Sequence, residues 1–360
     1  MNSNSASQRI LIDICHPAGV HVYKYIYREL TRLGYEIRFV AKIKDVTEDL
    51  LKAYNLPYTV LSYTKKGVLR KLGSLLPEMI RYWRILRKFK PTLILGSLPL
   101  HSSIVALVTR TPYIAIIDTE YRRLMDLVTF PAAKTIVTPA AYQRQLGKKQ
   151  VTYPGNHEFA YLHPVLFQPR SDIRAKLGLA TDRKYVVIRK VAWQAYHDIG
   201  QNGIETGMLL RLIKTLEADR NVFITAESAL PPELEQYRLK LPPELLHDVL
   251  WGADLVVTEG STTVSEAVCL GTPAVYINEL LPGIIQQYVE QGLLIHFDRL
   301  TIEDFPTIAE FVEDEGFKKK HQLFLDRIIH VNQFLTWLIK GFPDSIQSVK
   351  DKPNLINQFK

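Results

Sequence analysis

The sequence predicts an α/β protein built from two Rossmann-like domains whose parallel sheets face a cleft. Three observations predict it. Short β-branched runs alternate with helix-period segments across residues 10–137. A second series of the same kind follows a Pro- and Gly-marked segment at residues 153–169. Residues 253–278, ADLVVTEGSTTVSEAVCLGTPAVYIN, read as strand, tight polar loop, helix and strand. Strict alternation of this kind argues a parallel, doubly wound sheet.

In the first half, residues 10–14 form a buried strand. A loop at 16–20 holds Pro17 and Gly19. Helix 21–33 has Val22, Ile26, Leu30 and Leu33 in register and closes at Gly34. Strand 36–41, helix 46–54 and strand 58–61 follow. A long helix, 69–89, ends before Pro91. Strand 93–95, helix 102–108, strand 113–117 and strand 134–137 complete this half. In the second half the expected elements are strand 185–189, helix 203–216, strand 222–225, short helix 243–250 and strand 293–297. Residues 317–334 and 336–340 read as helices, and the tail after Pro343 as loosely held. The expected division is 9–165, 166–335 and a C-terminal segment 336–360.

The stretch 253–278 carries the clearest chemistry. Strand 254–258 leads into Glu259-Gly260-Ser261, helix 262–270 stops at Gly271, and strand 273–277 follows. Such a loop presents free backbone N–H groups and the positive end of a helix dipole at the carboxyl edge of a sheet, a seat for phosphate or diphosphate. Gly260, Ser261, Thr262 and Thr263 offer little bulk and many donors. Glu266, one turn in, can accept hydrogen bonds from ribose hydroxyls.

The 360 residues, 47% hydrophobic, suffice for two ordinary cores. The only cysteines are Cys15 and Cys269. They predict a reducing compartment, no disulfide framework, and a small buried role for Cys15. Cys15 and His16 are adjacent and point apart, so no metal-ligand set emerges. The start, MNSNSASQ, lacks an apolar core, and no run approaches the roughly 20 residues that span a bilayer. The expectation is a cytoplasmic protein.

The net charge of +8 is unevenly placed: residues 1–160 carry 24 Lys/Arg against 11 Asp/Glu, and residues 161–360 carry 21 against 26. The N-terminal half therefore faces something acidic. Helix 69–89 sharpens this. It sets Leu72, Leu76, Met79, Ile80 and Trp83 beside Arg70, Lys71, Arg81, Arg84, Arg87 and Lys88, with Lys65 and Lys66 flanking. It reads either as a core-packed helix with a solvated basic face or as peripheral contact with an anionic membrane. No nucleic-acid-binding motif accompanies the charge, so no nucleic-acid partner is expected.

Two such domains, with the loop in the second, resemble the GT-B fold of nucleotide-sugar glycosyltransferases and of the hydrolysing UDP-N-acetylglucosamine 2-epimerase. Ile12-Asp13-Ile14-Cys15-His16-Pro17, Asp118-Thr119-Glu120, Tyr153-Pro154-Gly155-Asn156-His157-Glu158 and Tyr161-Leu162 resemble, more narrowly, a microbial domain-of-unknown-function family of that shape. The resemblance covers roughly residues 9–335. It implies a donor site in the C-terminal domain, with Gly260–Thr263 as diphosphate loop, Glu266 as ribose-binding carboxylate, Gln286 and Gln287 near the donor sugar, and Arg189 facing the diphosphate. The acceptor, a sugar or lipid-linked molecule, falls to the basic N-terminal domain.

The chain departs from the epimerases. It has Gly96-Ser97-Leu98 where they carry an acid, Ile188-Arg189 where they carry His-Arg, and Asp118-Thr119-Glu120-Tyr121 in place of His-x-Glu-Ala. These departures favour glycosyl transfer in cell-surface polysaccharide or glycolipid synthesis over epimerisation or hydrolysis; a non-catalytic nucleotide-sugar binder is a further alternative. Transfer needs a base for the acceptor hydroxyl and positive stabilisation of the departing diphosphate. No Asp-x-Asp motif is present, so the expectation is metal independence and no cofactor beyond the donor. The catalytic candidates are His21, at a helix start where the dipole keeps imidazole neutral, and Asp118 and Glu120 on the loop after strand 113–117. His157, Glu158, Trp193, Tyr196 and His197 are polar or aromatic residues that either line the site or pack under loops.

Overall fold

The computed structural model describes residues 8–64, 67–180, 182–191, 203–227 and 229–360, the side chains of 68–72 aside. Trp193, Tyr196 and His197 lie outside the described residues, as do Lys65 and Lys66. The chain divides into two compact units: one comprises Met1–Tyr161 with Ile329–Lys360, the other Leu162–Ile328.

The first unit is built on seven parallel strands: β1 (Arg9–Ile14), β2 (Glu36–Ile43), β3 (Tyr58–Tyr63), β4 (Leu93–Gly96), β5 (Tyr113–Ile116), β6 (Thr135–Pro139) and β7 (Gln150–Tyr153). Their order is β3-β2-β1-β4-β5-β6-β7, so the winding reverses between β1 and β4. Both faces are apolar, as parallel sheets require: Leu11, Val40, Leu61, Tyr82, Leu86, Ile94 and Tyr113 pack together on one, and Ile10, Ile12, Phe39 and Leu95 are buried on the other. Six of the seven strands are those the sequence predicts; the edge strand β7 is additional.

The second unit has five parallel strands: β8 (Tyr185–Lys190), β9 (Asn221–Ala226), β10 (Leu255–Thr258), β11 (Ala274–Ile277) and β12 (Leu294–Phe297). The order β12-β11-β10-β8-β9 reverses between β8 and β10. Val186, Ile188, Leu212, Ile213, Leu255 and Val257 anchor its core. All five strands match the expected ones.

The helices bring three corrections. The first begins at Pro17, not His21, and runs to Arg32: Pro17 suits the first helical position, and the His16 ring caps the end by accepting from Ala18 N at 3.3 Å. The helix expected over 317–334 is two, Phe317–Leu325 and Val331–Lys340. The break between them is where the chain passes from the second unit to the first. The tail after Pro343 is not loosely held either. Asp344–Asp351 is helical, and Phe334, Leu338, Ile346, Val349, Ile356 and Phe359 are buried. Helix Val331–Lys340 packs against helix Pro17–Arg32. The chain's end thus belongs to the unit that its beginning starts.

Candidate functional site

Open α/β sheets bind ligands beyond the carboxyl ends of their strands, where the winding reverses. Both reversals bring polar side chains together here.

In the second unit, β8 and β10 pair with Arg189 beside Thr258. The chain leaves β10 through Glu259 and Gly260 and enters helix Ser261–Leu270. Gly260 is the N-cap residue, and no side chain caps the helix end. Its own N–H donates to Thr258 Oγ1 at 3.0 Å, and a Cβ here would lie 3.1 Å from Val191 Cγ2. Ser261 is exposed, Thr262 half-buried and Thr263 buried. Gly271, at φ +76, ends the helix as expected, in a conformation that favours glycine.

Glu259 is a residue the sequence reading passed over. Fully buried, its carboxylate accepts from the backbone N–H groups of Val191, at 2.9 Å, and of Ile204, with Lys190 Nζ at 3.6 Å. Its carbonyl accepts from Asn278 Nδ2 at 2.9 Å. One carboxylate thus ties both sides of the segment after β8 to the loop after β10. An acid directly before the small-residue loop is the only sequence signal it gives.

Glu266 is buried, and its Oε1 lies 2.9 Å from His247 Nε2. Arg189 donates to Thr225 Oγ1 at 2.8 Å and to Glu227 Oε1 at 3.1 Å, so its charge is matched within its own sheet. Gln286 is exposed and donates to Glu290 at 2.9 Å within helix Gly283–Glu290; Gln287 is half-buried on that helix.

In the first unit, the three catalytic candidates sit in three environments. His21 is buried on helix Pro17–Arg32, with Nδ1 3.2 Å from the Tyr54 hydroxyl and its ring stacked on Tyr161 at 5.2 Å. It lies one turn inside the helix rather than at its mouth. Glu120 is buried and accepts from Gln143 N at 2.9 Å, while its carbonyl accepts from Arg144, which also pairs with Asp126. Asp118 is half-buried, with Oδ1 3.6 Å from His157 Nε2. The other ring nitrogen of His157 lies 2.9 Å from the Tyr153 hydroxyl. Burial pushes the Asp118 carboxyl up, but His157 and a hydrogen bond from Thr119 outweigh it and bring the pKa down to about 2. The structure therefore joins Asp118 to His157, and Glu120 to the backbone of Gln143.

A second polar cluster sits at the β1/β4 reversal. Asp13 is the penultimate residue of β1, Cys15 follows the strand, and His101 is on helix Leu100–Thr109 after β4. Cys15 Sγ donates toward Asp13 Oδ1 at 3.8 Å, and His101 Nε2 is 3.4 Å from Asp13 Oδ2. Cys15 is half-buried. Burial and the neighbouring Asp13 charge push its thiol well above the usual range. The loop between, Gly96-Ser97-Leu98, is held by Arg122, which donates to the carbonyls of Ser97 at 2.8 Å and Leu98 at 3.0 Å. Leu98 adopts φ +56, a strained backbone for a leucine. Gly96 has no room for a side chain: a Cβ would strike the Tyr113 hydroxyl and sit 3.0 Å from Asp13 O.

Comparisons with known proteins agree with this architecture. An uncharacterised protein of Methanocaldococcus jannaschii, MJ0665, is 23% identical over 325 residues, covering 86% of this chain and 92% of its own. Among solved structures, the UDP-GlcNAc 2-epimerase of M. jannaschii in complex with UDP-GlcNAc and UDP superposes with TM-score 0.64 at 12% identity, over 88% of this chain and 98% of that one. The spinosyn rhamnosyltransferase SpnG complexed with spinosyn aglycone superposes at 0.56 with 17% identity, over 89% and 95%. These likenesses establish the GT-B fold. Residues 8–333 match the family described as protein of unknown function (DUF354), and the chain belongs to that family.

Proposed function

We propose that this protein is a nucleotide-sugar-dependent enzyme, a glycosyltransferase with a UDP-sugar-type donor. The observation that carries the reading is the end of helix Ser261–Leu270: a glycine-headed helix with no side-chain cap, opening at the strand-order reversal of the second sheet. Its N–H groups and dipole would hold the donor's diphosphate, and Glu266 would meet the ribose. Gln286 and Gln287 stand as sugar-side candidates, and Arg189, on the strand beside the loop and paired with Glu227, is the candidate to face the diphosphate. Asp118, oriented by His157, is the preferred base for the acceptor hydroxyl; His21 and Glu120 are the alternatives.

The test is calorimetric titration of UDP, GDP, CMP and their sugars into wild type and Ser261→Asp. Asp at the first helical position suits the helix dipole, so the fold is kept while an anion is repelled. Base-selective binding, weakened at least about tenfold (about 1.4 kcal/mol) in the variant, supports the donor site. No binding by any nucleotide withdraws it. Release of free sugar without an acceptor would move the reaction to hydrolysis or epimerisation.

The acceptor side of this proposal is a lipid-linked molecule met at an anionic membrane surface. Helices Val68–Phe89, Leu100–Thr109 and Arg123–Thr129 pack side by side. Together they expose Leu76, Trp83, Val108, Leu124 and Leu127, the last three about 75% exposed. Arg84, Arg87, Lys88, Arg110 and Arg123 are exposed on the same helices and at their ends. An apolar patch bordered by cations suits anionic headgroups and repels a second copy of itself. No helix among the described residues is long and apolar enough to cross a membrane, so the contact would be peripheral.

A further inference from the structure

We propose that Asp13, Cys15 and His101 form a binding site for a divalent cation of the borderline-soft class that Zn²⁺ represents. One ligand atom from each lies within 4.8 Å of the other two. Asp13 Oδ2 lies 3.4 Å from His101 Nε2, near the edge of about 3.3 Å between N and O ligands in a zinc tetrahedron, and the other carboxylate oxygen, Oδ1, lies 3.8 Å from Cys15 Sγ. The longest edge would shorten by about 1 Å on binding.

Asp13 and His101 are 2% and 3% exposed. Asp13 Oδ2 and His101 Nε2 nevertheless have no hydrogen-bond partner among the described residues. Two buried polar atoms that face each other at 3.4 Å without a hydrogen bond cost free energy that a cation between them would offset. The set of carboxylate, thiolate and imidazole suits zinc and its neighbours rather than magnesium or calcium. With two negative ligands, a divalent ion makes the site neutral.

The surroundings support the assignment. Glu78 Oε2 stands 3.9 Å from the other nitrogen of the His101 ring, and metal-binding imidazoles commonly have a carboxylate on that side. Glu78 is itself held by Lys42, at 2.9 Å, and by Ser62, at 2.8 Å. Three protein ligands leave a fourth position open, and the half-buried Cys15 keeps the site in reach of solvent. The sequence reading missed the set because it compared Cys15 only with its neighbour His16, whereas the fold delivers His101 from across the sheet reversal. The site is in the first unit, independent of the donor loop.

The experiment is titration of the full chain with Zn²⁺, and separately with Co²⁺ as a spectroscopic probe, in wild type, Cys15→Ser, His101→Ala and Glu78→Gln. Expected is one equivalent of Zn²⁺ per chain. Affinity should fall at least about 100-fold in Cys15→Ser and His101→Ala, and about 10- to 100-fold in Glu78→Gln, as for outer-shell partners. The Co²⁺ form should show a thiolate charge-transfer band that Cys15→Ser abolishes. Far-UV circular dichroism establishes that each variant is folded, and Cys15→Ser, at a half-buried position, tests the site even if His101→Ala does not fold. No stoichiometric binding by wild type, or binding unchanged in Cys15→Ser, overturns the proposal.

Discussion

Asp118 and His157 meet with 3.6 Å between carboxylate and imidazole, and the imidazole reaches on to Tyr153 at 2.9 Å. The carboxylate's pKa is about 2, below its usual 3.8. A depressed carboxyl adds stability that is present above pH 3.8 and is lost as pH falls through about 2. Wild type should therefore exceed Asp118→Asn in stability at neutral pH, with the gap closing across that window. Acid unfolding followed by circular dichroism checks this. His157→Ala should move the Asp118 titration, read by NMR, back toward higher pH.

Glu266 and His247 form a buried pair in the second unit. Glu266→Ala removes one hydrogen-bonding partner from a side chain that water does not reach, at a cost of about 1–3 kcal/mol. Glu266→Gln keeps an oxygen in place and should retain most of the stability. Urea unfolding of the two variants separates them; equal stability would mean that the pair contributes little.

Gly96→Ala should destabilise the first unit by about 1–3 kcal/mol, because the added methyl meets the Tyr113 hydroxyl and the Asp13 carbonyl at once. The adjacent strained turn at Leu98 leaves little slack for relaxation. Thermal unfolding measures the loss; a neutral substitution would show that the strand end yields.

The apolar face of helices Leu100–Thr109 and Arg123–Thr129 should bind vesicles containing anionic lipid. Leu124→Ser with Leu127→Ser, both at exposed positions, should reduce co-sedimentation several-fold without lowering the melting temperature. High salt should weaken binding as it screens the bordering cations. Wild type that ignores the vesicles, or that sediments as a dimer through this face, would rule the contact out.

Local pattern reveals the strands and the loop at Gly260, because strand, small polar turn and helix follow one another directly in sequence. Strand β7 escapes the same reading: it has four residues, of which Val151 and Tyr153 are buried. Helix Arg123–Thr129 escapes for the opposite reason. Its apolar residues Leu124, Leu127 and Val128 face outward, so the usual inward periodicity gives no guide. Helices 317–325 and 331–340 read as nearly continuous because Ile328 and Ile329 carry the apolar pattern across the break. At the sites, the residues with chemical potential are visible one by one, but their partners are not. Nothing near Asp118 points to His157, near Glu266 to His247, or near Asp13 to His101. These pairs are made by sheet order.

The return of Ile329–Lys360 to the first unit sets an order of assembly. The second unit is one contiguous stretch and can close as soon as it leaves the ribosome. The first cannot: Tyr153 packs on Phe334, and Phe334 on Phe359, so its core waits for residues made after the whole of the second unit. Synthesis that ordinarily completes domains from the N-terminus is here inverted, and the half of the molecule translated first is the half finished last.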